Sequence, residues 1–516
     1  MRLSGMLLPI SALPSNYGIG CFSKEAYEFV DILEKANQKI WQILPLGPTG
    51  YGDSPYQSFS TFAGNPYFID LETLVKDGLL GRLECEGADF GTGNTIDYEK
   101  MFHTRYRILH MAYQRAVTNG ITETDDYHSF VKKNESWLPD YALFMALKDA
   151  NHGKSWSEWE EGIRNRRPEA LEEAGQKYKT DIGFYEFVQY EFFRQWDALK
   201  KYANEQGIQI IGDIPIYVAF DSADTWSDTK QFQLDEDNLP VAVAGCPDGF
   251  SADGQLWGNP LYDWEYHKKT GYAWWMRRIA HCFALYDIVR IDHFRGFDEY
   301  YAIPYGEKTA RNGKWQQGPG MDLFGAVREQ FGDLPIIAED LGFLTDSVRR
   351  MLKESGYPGM KVLQFAFDSR EESDYLPHNY ERNCVVYTGT HDNNTVMGWY
   401  DELSPEDKKL AVDYLHNAYT PKKEIYWDYI ALAMRSVADT CIIPVQDYLG
   451  LGKEARINTP STLGGNWVYR LPKKTFDAAK IRKIRRMTEI CARLPKVRKE
   501  AEEEKETEVT TDTKER

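Results

Sequence analysis

Long hydrophobic segments are missing from this sequence. No apolar run approaches the roughly 20 residues of a transmembrane helix, and the short run at 6–10 is interrupted by Pro9 and is too short for a secretory signal. Cysteine is also scarce, with seven widely spaced residues and no CxxC pair. This pattern argues against a disulfide framework or a thiolate zinc site and is typical of a reducing compartment. We therefore expect a cytoplasmic protein without a membrane span.

Positive charge is in deficit. The sequence has 61 Lys and Arg against 79 Asp and Glu, a net charge of −18, which opposes binding to nucleic acid or to an acidic membrane surface. We expect neither partner. Aromatic residues are abundant, with 33 Tyr and 14 Trp. Such rings fit a large core, and they also suit neutral polyol substrates.

Eight short apolar segments alternate with segments of helical spacing. The eight are 6–10, 40–44, 208–216, 288–296, 335–340, 361–368, 384–392 and 441–447. Alternation of strands and helices predicts an α/β fold with a parallel sheet. The number of strands and the polar residues at their ends favour a (β/α)8 TIM barrel over a doubly wound open sheet, the main alternative.

The remaining segments add to this barrel. From about residue 65 to 205 the pattern is helical and polar, which predicts a large, mostly helical insertion, at 49–205, between the second and third strands. Residues 244–264 are rich in Gly, Pro and Asp, which is typical of a loop. The barrel is expected to occupy 1–497, whereas the charged segment 498–516 has almost no apolar residue to bury and is expected to be disordered.

Acidic residues lie near the C-terminal ends of four of the predicted strands: Asp213, Asp292, Glu339 and Asp392. Because the C-terminal ends of barrel strands share one face, we expect these four side chains to converge. Each acid taken alone fits a cap or an ion pair. Together they fit glycosidic bond cleavage by a nucleophile and an acid/base, or a divalent metal held with His293 or His391. The aromatic loops favour sugar chemistry, and the spacing excludes neither reading.

Two of the acids have sequence neighbours that suggest a role. Asp292 lies between Arg290 and Arg295, which should keep its carboxylate ionised, as a nucleophile requires. Arg290 shares a strand face with Asp292 and should line the site, while Arg295 lies past the strand end and should brace the loop. Glu339 follows three apolar residues that should raise its pKa toward that of a proton donor. Its neighbour Asp340 must point to the opposite face.

Seven longer strings carry a resemblance to a known family. They are LPLGPTGYGDSPYQSFSTFAGNP at 44–66, GDIPIYVAFDSADTW at 212–226, GQLWGNPLYDW at 254–264, VRIDHFRG at 289–296, AEDLG at 338–342, TGTHDN at 388–393 and QDYLGLGKEARINTPST at 446–462. The sequence resembles the amylomaltase (disproportionating enzyme) family of 4-α-glucanotransferases, a branch of the α-amylase clan. The resemblance runs nearly end to end and implies a barrel without a C-terminal β-sandwich domain.

The resemblance implies a role for each candidate residue. Asp292 is the nucleophile that forms a covalent glucosyl-enzyme, Glu339 is the general acid and then the base, and Asp392 holds sugar hydroxyls and strains the ring. Further residues are implied to bind substrate: Arg290, His391 and Tyr56 in the donor subsite, Tyr51 on a remote glucan-binding surface, Trp257 on the acceptor side, and Asp213, Ser54 and Asp368.

The implied activity needs no cofactor. The resemblance implies cleavage of α-1,4 bonds in maltooligosaccharides, amylose or glycogen-type glucan, with transfer of the segment to the 4-hydroxyl of glucose or another glucan. A retaining α-1,4-glucan hydrolase and a non-catalytic glucan-binding barrel are the alternatives. One loop departs from the family pattern, because 245–250 is one residue shorter and carries Gly249. This change predicts a weaker grip on glucan at the acceptor side.

Overall fold

The computed structural model describes residues 2–50, 52–91, 93–247, 253–342, 344–462 and 464–494. These residues form twelve strands: β1 (Leu3–Leu7), β2 (Ile40–Gln42), β3 (Gln209–Pro215), β4 (Ala242–Cys246), β5 (Gln255–Pro260), β6 (Ile288–Asp292), β7 (Glu299–Pro304), β8 (Lys314–Gln317), β9 (Ile336–Ala338), β10 (Gly359–Val362), β11 (Cys384–Tyr387) and β12 (Thr440–Pro444).

Eight of the strands form a parallel barrel. Their order is β10-β11-β12-β1-β2-β3-β6-β9, so each strand lies beside its predecessor among the eight. The two ends of this order meet, because the Ala338 N–H donates to the Pro358 carbonyl at 3.0 Å. The predicted (β/α)8 barrel is confirmed, and the doubly wound sheet is excluded because its strand order would reverse at a switch point. Several predicted strands extended too far, and 445–448 is helical.

Side chains of the barrel strands alternate between the interior and the surrounding helices, as the period of two requires. The interior cluster includes Leu7, Ile40, Ile211, Ile337, Met360, Val385, Tyr387 and Ile442. Asp213 lies two positions after Ile211, and Glu339 two positions after Ile337, so both acids face the interior at the C-terminal end. Asp340 faces outward, as predicted.

Twenty α-helices lie in the described residues. One, α1 (Lys24–Lys35), follows β1. Nine lie between β2 and β3: α2 (Leu71–Lys76), α3 (Arg82–Glu86), α4 (Tyr98–Lys100), α5 (Tyr106–Thr118), α6 (Asp125–Lys133), α7 (Leu138–Ala150), α8 (Glu161–Arg164), α9 (Pro168–Lys177) and α10 (Lys179–Glu205). The other ten are α11 (Ala223–Ser227), α12 (Trp264–Lys269), α13 (Ala273–Leu285), α14 (Met321–Phe331), α15 (Asp346–Ser355), α16 (Val396–Glu402), α17 (Pro405–Leu415), α18 (Ile425–Arg435), α19 (Val445–Tyr448) and α20 (Ala478–Ile490).

The 27-residue helix α10 joins the inserted helices to the barrel. Its fully buried Trp196 lies 5.3 Å from Phe22, between ring centroids, and its indole N–H donates to the Leu285 carbonyl at 3.1 Å. Phe184 and Phe187 of the same helix are also fully buried. Each such ring contributes about 1.5–3 kcal/mol through burial, so α10 fixes the position of the insertion.

A second, antiparallel sheet was not predicted. Its strand order is β5-β4-β7-β8, with β4 and β5 inserted after β3 and β7 and β8 inserted after β6. The prediction that 244–264 is a loop was therefore wrong where β4 and β5 form, and the insertions are not all helical. The sequence shows little alternation there, because β4 is stabilised by pairing with the distant β7, where Gly245 pairs with Tyr301, and β5 pairs in turn with β4.

The described part of the chain after β12 contains helices and one isolated bridge, Thr95–Tyr469, but no β-sandwich. Among the described helices, none combines the length and apolar character needed to cross a membrane. The predicted disordered segment 498–516 lies outside the described residues, as does part of the departing loop, 248–250.

Candidate active site

Arg290 joins two acids at the C-terminal end of the barrel. Asp213 and Arg290 are paired residues on β3 and β6, and Arg290 Nη1 lies 2.7 and 2.6 Å from the two Asp213 carboxylate oxygens. Nη2 of the same guanidinium donates to Asp292 Oδ1 at 2.8 Å. Asp213 is fully buried and the Arg290 side chain only 3% exposed. Arg290 therefore neutralises a buried acid and fixes the orientation of the Asp292 carboxylate.

Asp292 and Glu339 face each other across neighbouring strands. Ile291 pairs with Ala338, and the Glu339 N–H donates to the Ile291 carbonyl at 3.0 Å, so the next pair is Asp292 with Glu339. Neighbouring strands are about 4.8 Å apart. Retaining glycosidases hold their two carboxyl groups about 5–5.5 Å apart. The register thus places the two acids on adjacent strands, side by side at the C-terminal end of the barrel.

Both oxygens of Glu339 accept backbone hydrogen bonds. Oε2 accepts from the N–H of His293 and Oε1 from the N–H of Leu341, each at 2.7 Å. These bonds favour the carboxylate, but burial and the negative charge of Asp292 outweigh them and raise the pKa of Glu339 to about 8. At neutral pH Glu339 is therefore mostly protonated, which is the state of a general acid.

Asp292 has one arginine as its hydrogen-bond partner, not two. Burial raises the pKa of Asp292, and Arg290 opposes this rise. Arg295 lies instead 4.0 Å from the centroid of the Trp315 ring and 3.9 Å from Glu299. The prediction that two arginines hold Asp292 ionised is corrected to Arg290 alone. Among the described residues no basic side chain makes a hydrogen bond to Glu339, whereas Arg290 makes one to Asp292, so Asp292 is the more readily ionised of the pair.

Asp392 lies in the opposite electrostatic environment to Glu339. Its Oδ1 accepts from Asn458 Nδ2 at 2.6 Å and lies 3.4 Å from His391 Nε2. Burial alone would raise the pKa of Asp392, but His391 and Asn458 outweigh it and lower the pKa to about 2. The Asp392 charge in turn outweighs burial and raises the pKa of His391. Asp392 is therefore a permanent anion at neutral pH.

An aromatic group closes one side of this acid cluster. Tyr56 stacks on His391, with ring centroids 5.2 Å apart, and its hydroxyl donates to Asp213 Oδ2 at 2.8 Å. Trp467 lies 5.9 Å from Tyr56 and 6.0 Å from His391. The structure thus joins Tyr56 to the four acids predicted to converge.

The other binding predictions fall at different places. Trp257, on β5, lies with its ring edge-on to His293, 4.7 Å between centroids, beside the Glu339 loop. The Ser54 hydroxyl accepts the Tyr56 N–H at 3.3 Å. Asp368 pairs with Arg370 near the surface, where this ion pair lowers the Asp368 pKa to about 2. Tyr51 lies outside the described residues.

Comparison with known families shows which family this chain belongs to. A family model described as 4-alpha-glucanotransferase matches residues 8–475, a range that contains all of the acids and aromatic residues above. The chain belongs to the 4-α-glucanotransferase family. The resemblance inferred from the sequence is therefore confirmed.

Individual family members are similar along almost their whole length. The 4-alpha-glucanotransferase of Clostridium butyricum is 50% identical over 488 residues, 94% of this chain and 99% of that protein. The Thermus thermophilus 4-alpha-glucanotransferase is 45% identical over 500 residues, 96% and 99% of the two chains. A solved amylomaltase from Streptococcus agalactiae, in complex with acarbose, has a TM-score of 0.93 and 41% identity, and the match covers 96% of this chain and 100% of that one.

Two contacts of the cluster were missed by sequence reasoning. Asn458, which binds Asp392, lies within the string 446–462, but no residue of that string was singled out. Trp467 lies outside all seven strings, and only the folded structure shows that its ring contacts Tyr56 and His391. The described residues contain no group of three or more His, Cys, Asp or Glu arranged to hold a metal ion.

Proposed function

We propose that this chain cleaves α-1,4 bonds of glucans with retention and transfers the released segment to the 4-hydroxyl of glucose or another α-1,4-glucan. Membership of the 4-α-glucanotransferase family supports the reaction type. The observation that carries the mechanism is the facing pair of acids, Asp292 oriented by Arg290 and Glu339 with a pKa raised to about 8.

In the first half-reaction Glu339 protonates the glycosidic oxygen while an Asp292 carboxylate oxygen attacks the anomeric carbon. The bond to the leaving glucan breaks and a covalent glucosyl-enzyme forms. Arg290 holds the attacking carboxylate through its 2.8 Å hydrogen bond. Asp392, the permanent anion, accepts hydrogen bonds from sugar hydroxyls and stabilises the developing positive charge of the ring.

In the second half-reaction Glu339, now a carboxylate, takes the proton from the acceptor 4-hydroxyl. The acceptor oxygen attacks the anomeric carbon and Asp292 leaves. Water competes for the same intermediate, and its attack would be hydrolysis. Transfer dominates when a glucan occupies the acceptor side, where Trp257 offers a stacking surface.

The remaining assignments are part of the same proposal. Tyr56, stacked on His391, forms a wall of the donor subsite, and Ser54 shapes its turn. Tyr51 and Asp368 are proposed as outlying glucan contacts. Maltooligosaccharides, amylose and glycogen-type glucan are the proposed substrates, and the cytoplasm is the proposed location. The catalytic barrel is proposed to occupy 1–497, with the insertion at 49–205.

Two substitutions test the roles of the acids. Asp292→Ala and Glu339→Ala should each lower turnover of maltotriose about a thousandfold or more, with the far-UV circular dichroism spectrum unchanged. Asp333→Ala, at a carboxylate that is 91% exposed, is the control and should match the wild type. Near-wild-type turnover in either catalytic variant would remove the role assigned to that residue.

The products of the wild-type enzyme separate the alternatives. Maltotriose should give longer oligomers together with glucose and maltose, because the segment is transferred to a second sugar. Products limited to glucose and maltose would indicate hydrolysis, and binding without bond cleavage would indicate a glucan-binding barrel. Loss of activity on chelation would support the metal-dependent alternative.

A further inference from the structure

We propose that His293 is a positioning residue that links the acceptor side of the cleft to Glu339. Its backbone holds one Glu339 oxygen, while its ring lies against Trp257. This inference rests on the proposed function, because it assigns Glu339 as acid and base and Trp257 to the acceptor side.

The backbone of His293 adopts an unusual conformation. It is left-handed, with φ 55° and ψ 49°, immediately after the strand that ends at Asp292. A residue with a Cβ atom rarely adopts this conformation unless the surrounding structure holds it there. The turn aims the His293 N–H at Glu339 Oε2, 2.7 Å away. The position of this N–H donor therefore depends on the neighbouring residues that stabilise the left-handed conformation of His293.

The ring of His293 is held by aromatic neighbours. Its centroid lies 4.7 Å from that of Trp257, edge-on, and 6.4 Å from that of Tyr217. A Cβ atom at Gly296 would lie 3.0 Å from the ring, so the glycine leaves room for it. The ring has no hydrogen-bond partner at Nε2 among the described residues. Packing, above all against Trp257, is thus what fixes the side chain.

The two halves of His293 connect two functions. A glucan that stacks on Trp257 pushes against the neighbouring imidazole ring of His293. The backbone N–H of the same residue donates the hydrogen bond to Glu339. A shorter bond from this N–H favours the Glu339 carboxylate, which is the form needed to deprotonate the acceptor. A glucan on the acceptor side therefore strengthens the hydrogen bond from the His293 N–H to Glu339 in the second half-reaction, where Glu339 acts as the base.

The pH dependence of kcat/KM provides a test that structural damage alone would not imitate. His293→Gly keeps the left-handed turn and removes the ring, so the N–H is held less firmly. The alkaline limb of the kcat/KM profile, where Glu339 loses its proton, should shift to higher pH by about half a pH unit or more. The transfer-to-hydrolysis ratio should fall at least about threefold. His293→Asn, which tolerates the same turn, should behave similarly.

A double-mutant cycle tests the link to Trp257. Trp257→Ala should move the alkaline limb in the same direction, and in the His293→Gly background it should produce no further shift. The control is His416→Gly, because His416 is exposed and left-handed, with φ 51° and ψ 32°, at the end of α17. It should leave the limb and the product ratio unchanged.

Additive limb shifts, or an unshifted limb in both His293 variants, would overturn the proposed link. Neither result would contradict the proposed function, which the Asp292→Ala variant tests independently. Retained transfer by Asp292→Ala would instead remove the basis of both proposals.

Discussion

Glu339 and Asp392 are carboxylates of one cleft whose pKa values move in opposite directions. Burial and the charge of Asp292 raise the pKa of Glu339 to about 8, whereas His391 and Asn458 overcome burial and lower that of Asp392 to about 2. Two carboxyl groups whose pKa values differ in this way can serve as proton donor and as permanent anion at the same pH. At the scale of single residues, burial, neighbouring charges and hydrogen-bond partners together give similar side chains different roles.

The raised pKa of Glu339 predicts the alkaline limit of activity. The first half-reaction needs the protonated acid, so kcat/KM should fall as pH rises through about 8. Initial rates with maltotriose between about pH 6 and pH 10 would measure this limb. Asp340→Asn is the matched control, because Asp340 is the next residue but faces away from the cleft. A flat profile through pH 9 would contradict the assignment.

At the scale of elements, the loop between β11 and α16 that carries His391 and Asp392 is fastened at both ends. Asp447, which follows β12 and is 1% exposed, accepts the Thr388 hydroxyl at 2.6 Å and the Val396 N–H at 2.8 Å. One carboxylate therefore holds both the beginning of this loop and the first turn of α16.

Replacement of Asp447 should loosen this loop. In Asp447→Asn one carboxylate oxygen becomes an amide nitrogen, which cannot accept the second hydrogen bond. We expect kcat on maltotriose to fall about tenfold or more, because a small displacement of catalytic groups is costly.

Asp70→Asn provides the comparison, since Asp70 is a similarly buried carboxylate that caps α2 away from the barrel strands. It should leave kcat unchanged. Equal kcat in the two variants would show that Asp447 does not position the loop.

At the scale of the whole molecule, buried ionisable groups make stability depend on pH. His267 is fully buried, and its Nε2 lies 3.1 Å from the Gln231 carbonyl. Burial lowers the His267 pKa to about 4. The unfolded chain therefore binds a proton at this residue at pH values where the folded chain does not, and stability falls between about pH 6.5 and pH 4. Buried acids with raised pKa values, such as Asp447, act in the opposite direction.

His267→Gln isolates the contribution of His267, because glutamine keeps a donor for the Gln231 carbonyl and cannot be protonated in this range. Between about pH 7 and pH 4.5 the variant should lose about 2.5 kcal/mol less unfolding free energy than the wild type. Urea unfolding at the two pH values would measure the difference. His128→Gln, at a side chain 59% exposed, should show no such change. Equal losses in wild type and His267→Gln would refute this reading.

The barrel could be predicted because its information is local. A buried strand such as 288–292 is a short apolar run, and the acid at its end follows directly in sequence. Boundaries were less accurate, since the end of a strand depends on its neighbours. The antiparallel sheet was missed for the same reason: β4 and β7 stabilise each other across more than 40 residues, and neither has a strong pattern of its own.

The family, the eight barrel strands and the acids near their ends could be recognised from the amino-acid sequence, because each lies in contiguous residues and the strand period of two selects the inward face. The hydrogen-bond partner of each acid follows only from the three-dimensional fold. Asp392 meets Asn458, Asp213 meets Tyr56, and Glu339 meets the N–H of a left-handed His293. These contacts set the pKa values, since electrostatic interactions depend on distance and burial in space and not on separation along the chain.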